Sequence, residues 1–498
     1  MNVTFQSIDE MDLAGVAIAC GVFASAALSN ELQALDLRSG GAVARVLASG
    51  RFRGEVGEVL ELPGIAGIDA ATLILVGCGC ESRLQTSTIE QATACALRAA
   101  EIAGARALVL VLAPTQPDLA AHSAFAARLA AYRFEKYRTV HQAGSTPVHT
   151  IRIAVNDPTA AARAYDPLTS LGDGILMARD LVSEPPNVLF PEAFAQRMRA
   201  LEDVGVEVEI LGEQQMRELS MNALLGVGQG SARESQLVVL KWFGAERRDD
   251  QPVALVGKGV CFDTGGLNLK PLKDMRWMKE DMAGAAAVAG AFRALAGRKA
   301  RANVIGILGL VENMPDGKAQ RPGDVVTSLS GQTIEVVDPD CEGRLVLADA
   351  LSFCLRNFAP KIVIDIATLT DAVVVALGDG YAGMFSNDDA LAERVLSASA
   401  AATESVWRMP LSEYYVPGLR SGVADLKNWA GEPMDAIHAA LFLQRFVGDT
   451  SWVHLDISGV AWRKDSRLSL VPEGASGFGV RLLDRLMADL YPPSVHAN

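Results

Sequence analysis

Residues 333–357 read TIEVVDPDCEGRLVLADALSFCLRN. The opening TIEVV is typical of a β-strand, and the closing VLADALSFCLRN is typical of a helix. Between them lie the carboxylates Asp340 and Glu342, one residue apart, followed by Arg344. Because an open α/β sheet binds its ligands where its strands end, this junction is a candidate site for a divalent cation. The alternative is a solvated acidic turn at the start of the next helix.

Two further acids occupy similar positions. Asp263 follows the strand-like run Pro252–Val256, in a glycine-rich segment that also contains Lys258. Asp281 opens a helix predicted at Met282–Leu295, where an acid is also favourable for the helix alone. The glycine-rich segment lacks the G-x-x-x-x-G-K-[ST] spacing of a phosphate-binding loop, so nucleotide binding is not expected.

These four carboxylates form a set without histidine, because none of the six histidines lies in these stretches. Such a set suits hard divalent cations or a two-metal cluster with shared carboxylates. Four buried carboxylates without a cation would repel one another and take up protons. The sequence therefore favours a metal site over an empty acidic cluster.

Composition limits the classes of protein that this chain can belong to. The net charge of −14, without a long basic run, argues against nucleic acid as a partner. The seven cysteines are scattered, so we expect no disulfide framework and a reducing compartment. The acidic segment Met1–Asp12 does not resemble a signal peptide, and no apolar stretch approaches membrane-spanning length. We expect a cytoplasmic protein without a membrane anchor.

The length of 498 residues indicates at least two domains. Residues 1–165 are predicted to form an N-terminal α/β domain, with buried strands at Ala71–Val76 and Ala107–Leu112. The polar segment Asp157–Pro167 is predicted to be the connection to a C-terminal domain, residues 166–498. Strands and helices alternate in that second domain, which predicts a central, mostly parallel sheet covered by helices.

Several segments of the C-terminal domain resemble, in order, the leucyl aminopeptidase (cytosol aminopeptidase) family. These segments are Arg179–Phe194, Ala223–Arg233, Val256–Gly266, Met278–Ala287, Glu312–Ser330, Asp340–Ala350 and His454–Trp462. The N-terminal domain resembles the family's variable, macrodomain-like module more loosely. The resemblance implies a metal-dependent aminopeptidase that hydrolyses the N-terminal residue from peptides, using a water activated by two metal ions. It also implies a homohexamer.

The resemblance also implies roles for individual residues. The positions that match the family's ligands for two divalent ions, Mn²⁺ or Zn²⁺, are Lys258, Asp263, Asp281, Asp340 and Glu342. Lys270 matches the lysine that stabilises the developing oxyanion, and Arg344 matches the arginine that holds a bicarbonate as general base. By the same analogy, the pocket for the first substrate side chain is lined by Met278, Thr368, Asp371, Ser458 and Ala461.

The sequence departs from the family pattern in three places. Asp338, Pro339 and Cys341 replace the Asn, Thr and Ala of the usual Asn-Thr-Asp-Ala-Glu-Gly-Arg motif. Asp371 replaces a glycine, so it either favours cationic or small substrate residues or caps the following helix. The segment Pro433–His438 lies in a region that is usually richer in Gly and Thr. We expect His438 on a helix surface, and the alternative is that it approaches the site. An impaired paralogue, or a DNA-binding architectural protein, is the alternative function.

Overall fold

The computed structural model describes residues 1–25, 28–140, 146–464 and 471–492. The chain divides into two compact units, formed mainly by residues 1–172 and by residues 173–464 with 474–492. Both units combine β-sheet with helices, which confirms the predicted two-domain α/β class. Within the described ranges, no helix is long and apolar enough to cross a membrane.

The first unit contains one six-stranded sheet. Its strands are β1 (Asn2–Ser7), β2 (Ala17–Val22), β3 (Val59–Pro63), β4 (Thr72–Gly77), β5 (Ala107–Val111) and β6 (Thr150–Val155). Its helices are α1 (Asn30–Arg38), α2 (Ala42–Ala48), α3 (Thr86–Ile102) and α4 (Pro117–Ala130). The strand order is β1-β6-β5-β2-β4-β3, and every pairing except β3 with β4 is parallel. Alternate strand residues face two separate cores, one containing α3 and α4 and the other α1 and α2.

Helix α5 spans Pro158–Ser183. The polar segment Asp157–Pro167, which was predicted to connect the two domains, therefore includes the start of a helix. The backbone N–H of Ala160 donates to Asp157 Oδ1 at 2.9 Å, which caps the helix start. Pro158 follows at the first helical position, where proline is favoured. The polar composition of this segment reflects a capped helix start, and the interior Pro167 does not end the helix.

The second unit contains the remaining strands and helices. The strands are β7 (Glu207–Leu211), β8 (Gln236–Phe243), β9 (Val253–Asp263), β10 (Asn303–Asn313), β11 (Asp324–Thr327), β12 (Thr333–Val336), β13 (Ile362–Ala367), β14 (Ala382–Ser386), β15 (Val406–Arg408), β16 (Leu426–Lys427), β17 (Ser451–Asp456), β18 (Trp462–Arg463) and β19 (Gly474–Ala475). The helices are α6 (Pro191–Met198), α7 (Glu213–Glu218), α8 (Asn222–Gly228), α9 (Leu272–Met275), α10 (Ala283–Gly297), α11 (Gly343–Phe358), α12 (Asp371–Leu377), α13 (Asp389–Ala402), α14 (Asp435–Gln444) and α15 (Val480–Leu490). Short 3₁₀ helices occur in both units. They lie at Ile8–Glu10 and Glu81–Arg83 in the first unit and at Arg199–Val204, Met278–Glu280, Glu413–Leu419 and Glu432–Met434 in the second.

The main sheet of this unit has eight strands in the order β15-β14-β17-β13-β9-β10-β8-β7. Its four central strands, β17, β13, β9 and β10, are mutually parallel, and antiparallel pairings lie to either side. The predicted central, mostly parallel sheet is confirmed. The predicted strand before Asp340 exists as β12, but it belongs to a separate three-stranded sheet with β11 and β16.

Small residues let helices approach strand β9 closely. A Cβ atom at Gly257 would lie 2.6 Å from the Cα of Ala285 in α10, which leaves no space for a side chain. On the other face of the sheet, Ala254 and Val256 belong to the core that also contains α11. Strand β9 therefore lies between α10 and α11, and the segments that precede these two helices approach its carboxyl end.

A fully buried polar network joins β13 to β17. The carboxylate of Asp365 lies 2.5 Å from His454 Nδ1 and accepts a hydrogen bond of 2.6 Å from Trp452 Nε1. All three residues have 0% exposure. Burial alone would lower the pKa of His454, but the neighbouring Asp365 raises it above its usual value. The carboxylate thus satisfies two donors that water cannot reach.

We predict that Asp365→Asn destabilises the protein, because the amide NH₂ would face one of these buried donors. An unpaired buried polar group costs roughly 1–3 kcal/mol. Urea unfolding followed by circular dichroism should show a lower midpoint than in the native protein. The exposed Asp449→Asn is the matched control and should leave the midpoint unchanged. Equal midpoints for Asp365→Asn and the native protein would contradict this account.

Candidate metal centre

The five predicted metal-ligating residues come from three segments around the end of β9. Lys258 and Asp263 lie on β9 itself, Asp281 precedes α10, and Asp340 and Glu342 precede α11. Four of the five are buried, and Asp340 is half-buried. One carboxylate oxygen from each of Asp263, Asp340 and Glu342 can be chosen so that all lie within 4.8 Å of one another. The structure therefore brings the predicted residues into one cluster.

Lys258 occupies the centre of this cluster. Its Nζ atom lies 2.7 Å from Asp281 Oδ1 and 2.9 Å from Glu342 Oε1, and it donates to the carbonyl oxygen of Thr368 at 2.6 Å. Burial alone would lower the pKa of Lys258, but the Asp281, Glu342 and Asp263 carboxylates raise it above its usual value. With only the chain's own groups around it, the ammonium form of Lys258 is favoured and balances buried negative charge.

Lys270 brings a second positive charge to the same carboxylates. Its Nζ atom lies 2.9 Å from Asp263 Oδ2 and 2.5 Å from Asp340 Oδ1. Burial alone would lower its pKa, but Asp263 and Asp340 raise it above the usual lysine value. The predicted oxyanion-stabilising lysine is therefore a charged donor beside the predicted metal ligands.

The carboxylates show the mutual repulsion that the sequence predicts. Burial and the neighbouring Asp263 raise the pKa of Asp340 to about 8. Burial is also the main cause that raises the pKa of Asp281 and that of Glu342. Asp281 Oδ2 is buried and accepts no hydrogen bond within the described part of the chain. An acidic cluster with a spare buried oxygen is a suitable set of donors for a divalent cation.

Two asparagines that the sequence analysis missed hold the site in place. Asn313, at the end of β10, donates to Asp263 Oδ1 at 2.8 Å and to the carbonyl oxygen of Pro339 at 3.0 Å. Asn428 is fully buried, and its side-chain oxygen accepts from the backbone N–H groups of Val337 and Asp338. These amides fix the loop that carries the acidic motif. Their only sequence signal is that Asn313 ends a strand and Asn428 directly follows one, which is too common to single them out.

The altered motif positions have structural roles. Asp338 Oδ1 accepts from the backbone N–H of Asp340 at 2.9 Å and from Asn268 Nδ2 at 2.9 Å. This carboxylate oxygen therefore braces the loop. Cys341 is half-buried, and burial raises the pKa of its thiol, so the neutral form is favoured.

Arg344 lies in the first turn of α11 and is only 1% exposed. Its Nη1 donates to the carbonyl oxygen of Asn428 at 2.8 Å, and its Nη2 lies 2.9 Å from both carboxylate oxygens of Asp435. Burial alone would lower the pKa of Arg344, but Asp435 raises it. The guanidinium that the resemblance assigns to an external anion thus contacts a carboxylate of the chain itself.

The sequence matches two related family descriptions. Residues 176–484 match "Cytosol aminopeptidase family, catalytic domain", and residues 19–141 match "Cytosol aminopeptidase family, N-terminal domain". This chain belongs to the cytosol aminopeptidase family. It is therefore a peptidase, a hydrolase that removes N-terminal residues.

Similar proteins agree along nearly the whole chain. A "Probable cytosol aminopeptidase" of Caulobacter vibrioides is 53% identical over 492 residues, covering 99% of this chain and all of that protein. One from a Bradyrhizobium strain is 49% identical over 467 residues, covering 92% of this chain and 93% of that one.

Among solved structures, the "Bottromycin maturation enzyme BotP in complex with Mn" has a TM-score of 0.84 and 37% identity, with 96% of this chain and 100% of that chain covered. A mutant of tomato leucine aminopeptidase has a TM-score of 0.86 and 30% identity, with 98% and 96% covered. The cytosol aminopeptidase fold therefore extends through both units of this chain.

The residues assigned by analogy to the substrate pocket have varied surroundings. Thr368 is buried and donates from Oγ1 to Asp281 Oδ1 at 2.8 Å, so it contacts the cluster itself. Met278 opens the 3₁₀ helix that leads to Asp281. Ser458 donates to Asp456 at 2.8 Å, and Ala461 is buried.

Asp371 is exposed as the first residue of α12, whose cap is the hydroxyl of Thr370. Burial raises the pKa of Glu280 to about 7, Lys464 and Lys279 lower it, and Asp371 adds a smaller rise. Asp371 and the half-buried Glu280 are thus electrostatic neighbours. Glu280 directly precedes Asp281 of the acidic cluster.

The prediction of His438 on a helix surface was wrong. The histidine lies on α14 and is 2% exposed, with its ring edge against Tyr415. A Cβ atom at Gly418 would lie 2.6 Å from His438 Nε2, so the glycine makes room for the ring. Burial is the main cause that lowers the pKa of this histidine. It is a neutral core residue, which its neighbours in sequence do not reveal.

Gly343 is required by the position of Lys258. A Cβ atom at Gly343 would lie 2.5 Å from Lys258 Cε and 2.7 Å from its Nζ. We predict that Gly343→Ala displaces the lysine and lowers peptidase turnover by about 10–100-fold, as is typical when the support of a metal site is disturbed. Alanine favours helix more than glycine does, so reduced helix propensity cannot explain the loss.

Kinetic assays and metal analysis of Gly343→Ala measure this effect. Gly317→Ala is the matched control, because no atom lies within 4 Å of a Cβ built there. The control should retain native turnover and metal content. Native turnover in Gly343→Ala would show that the centre tolerates a displaced Lys258.

Proposed function

We propose that this chain is a dinuclear metal aminopeptidase. Lys258, Asp263, Asp281, Asp340 and Glu342 would hold two divalent cations, Mn²⁺ or Zn²⁺. The observation that supports this proposal most strongly is the convergence of these side chains, with the oxygens of Asp263, Asp340 and Glu342 within 4.8 Å of one another. The oxygen-rich donor set fits such cations, and the similar BotP structure is a complex with Mn.

The charges of the cluster also fit the proposal. Four carboxylates face the two ammonium groups of Lys258 and Lys270, so negative charge is in excess when all four are ionised. Cations in the cluster would replace the charge of Lys258 and favour its neutral amine, which is the only form with a lone pair. When bound, the two ions supply Lewis-acid polarisation of the scissile carbonyl and a water activated for attack.

The chain's own residues then have distinct tasks. Lys270 would donate a hydrogen bond to the carbonyl oxygen of the scissile bond as negative charge develops there. Asn313 and the backbone N–H of Gly265 hold Asp263 Oδ1 in place, at 2.8 and 2.9 Å. Thr368 orients Asp281 through its hydroxyl. These contacts pre-organise the ligands, which lowers the cost of reaching the reactive geometry.

We also propose peptides as substrates, a homohexamer as the assembly and the cytoplasm as the location. The family membership and the names of similar proteins support the substrates and the location, and the homohexamer is what the family resemblance implies. The pocket for the first substrate side chain would be lined by Met278, Thr368, Asp371, Ser458 and Ala461. Asp371 and its neighbour Glu280 would favour a cationic side chain in that pocket.

The proposal predicts different defects for two variants. Glu342→Gln keeps the side-chain volume but removes a ligand charge, so it should lower bound metal and abolish hydrolysis of a leucine anilide. Lys270→Ala should retain both ions yet lose about 10²–10³-fold in turnover, as for a lost oxyanion donor. Plasma mass spectrometry for metal and a steady-state assay provide the two measurements.

Lys273→Ala is the control, because Lys273 is exposed. This variant should match the native protein in both bound metal and turnover. Native turnover and metal content in Glu342→Gln would overturn the metal assignment. Loss of metal from Lys270→Ala would show that this lysine is needed for metal binding itself.

A second prediction concerns substrate preference. Removing the charge with Asp371→Gly should lower the ratio of kcat/KM for arginine over leucine anilides by roughly tenfold or more, as for a charge-assisted contact of about 1.5–3 kcal/mol. Asp389→Gly makes the same change at the first residue of α13 and should leave the ratio at its native value. If both variants give the native ratio, Asp371 does not contact the substrate and serves only the start of α12.

A further inference from the structure

The environment of Arg344 differs from what the family resemblance implies. A guanidinium that awaits a bicarbonate should present its donors to an open site. Here Arg344 is 1% exposed, Nη2 contacts both carboxylate oxygens of Asp435 at 2.9 Å, and Nη1 donates to the carbonyl oxygen of Asn428. A carboxylate has the same charge and the same paired oxygens as bicarbonate. Asp435 therefore occupies Nη2 with equivalent chemistry, whereas Arg344 Nε donates to no atom in the described part of the chain.

The surrounding structure fixes this ion pair. Asp435 is the first residue of α14, where a negative charge is favourable beside the helix N-terminus. Arg344 lies in the first turn of α11, two residues after Glu342, and Asn428 holds the preceding loop. The Asp435 side chain is 15% exposed, so solvent screens the pair only weakly. The Asp435 carboxylate already neutralises the positive charge of Arg344, so a second anion would be attracted there only weakly.

We propose that Asp435 replaces the external oxyanion at Arg344, so that peptide hydrolysis by this chain does not require bicarbonate. The inference rests on the proposed aminopeptidase function. Asp435 takes both tasks that the resemblance gives to the anion: its carboxylate keeps the Arg344 guanidinium oriented and neutralised next to the acidic motif, and it would accept the proton of the attacking water. Asp435 lies in the segment of residues 433–438, which departs from the family pattern in sequence.

The first test uses the native protein. Turnover of a leucine anilide by the metal-loaded enzyme is measured in buffer stripped of carbon dioxide and again with rising bicarbonate. The expected result is equal turnover within about twofold. Turnover that rises tenfold or more with bicarbonate would overturn the inference and leave the aminopeptidase function intact. Absence of hydrolysis under all conditions would instead count against the proposed function.

The second test uses Asp435→Ala, which removes the carboxylate. Turnover should fall by about 10–100-fold without bicarbonate, as is typical for the loss of a supporting contact. Added bicarbonate should restore it, since the anion then enters the place that Asp435 leaves. Glu432→Ala removes an exposed acid three residues earlier and should behave as the native protein does. A defect in Asp435→Ala that bicarbonate does not relieve would overturn the inference.

Thermal unfolding gives a readout that needs no activity. A ligand that binds only the folded state raises the melting midpoint. Bicarbonate should therefore raise the midpoint of Asp435→Ala and leave those of the native protein and Glu432→Ala unchanged. A midpoint of the native protein that rises with bicarbonate would overturn the inference, even if Asp435→Ala does not fold.

Discussion

Buried negative charge is the constraint on which the second unit of this protein depends. Asp263, Asp281 and Glu342 lie within a largely water-free cluster, where like charges repel strongly. The fold places the ammonium groups of Lys258 and Lys270 between these carboxylates and that of Asp340, at 2.5–2.9 Å. The cluster thus needs positive charge, and the proposed divalent ions would bring more of it than the lysines do.

The packing of the main sheet follows from this requirement. Because Gly257 has no side chain, α10 can pack directly against β9, and Gly343 leaves space for Lys258 beside α11. Side chains at either position would separate segments that must meet at the end of β9. Asn313 and Asn428 then fix the loops by hydrogen bonds to groups that water cannot satisfy. The site depends on small residues and amides as much as on its ligands.

Much of this arrangement was predictable from the sequence. Asp263, Asp281, Asp340 and Glu342 were predicted to meet because each lies at a strand end or a helix start, and the structure brings them together. The parallel core was predicted from apolar runs such as β9 and β10. The pairing of β12 depends on long-range contacts, so its place in a small separate sheet was not predictable.

Other features depend on three-dimensional neighbours that no local pattern reveals. The pairing of Arg344 with Asp435 joins residues that are 91 positions apart. The burial of His438 depends on the space left by Gly418, 20 positions earlier. The start of α5 was different, because Asp157 and Pro158 form a recognisable helix-start signal that the polar composition obscured.

The most direct test of the central claim is a crystal structure of the protein soaked in Mn²⁺, with diffraction data collected at the manganese absorption edge. The account predicts two anomalous peaks among Lys258, Asp263, Asp281, Asp340 and Glu342. An anomalous map without peaks in this cluster, or with peaks only elsewhere in the molecule, would contradict it.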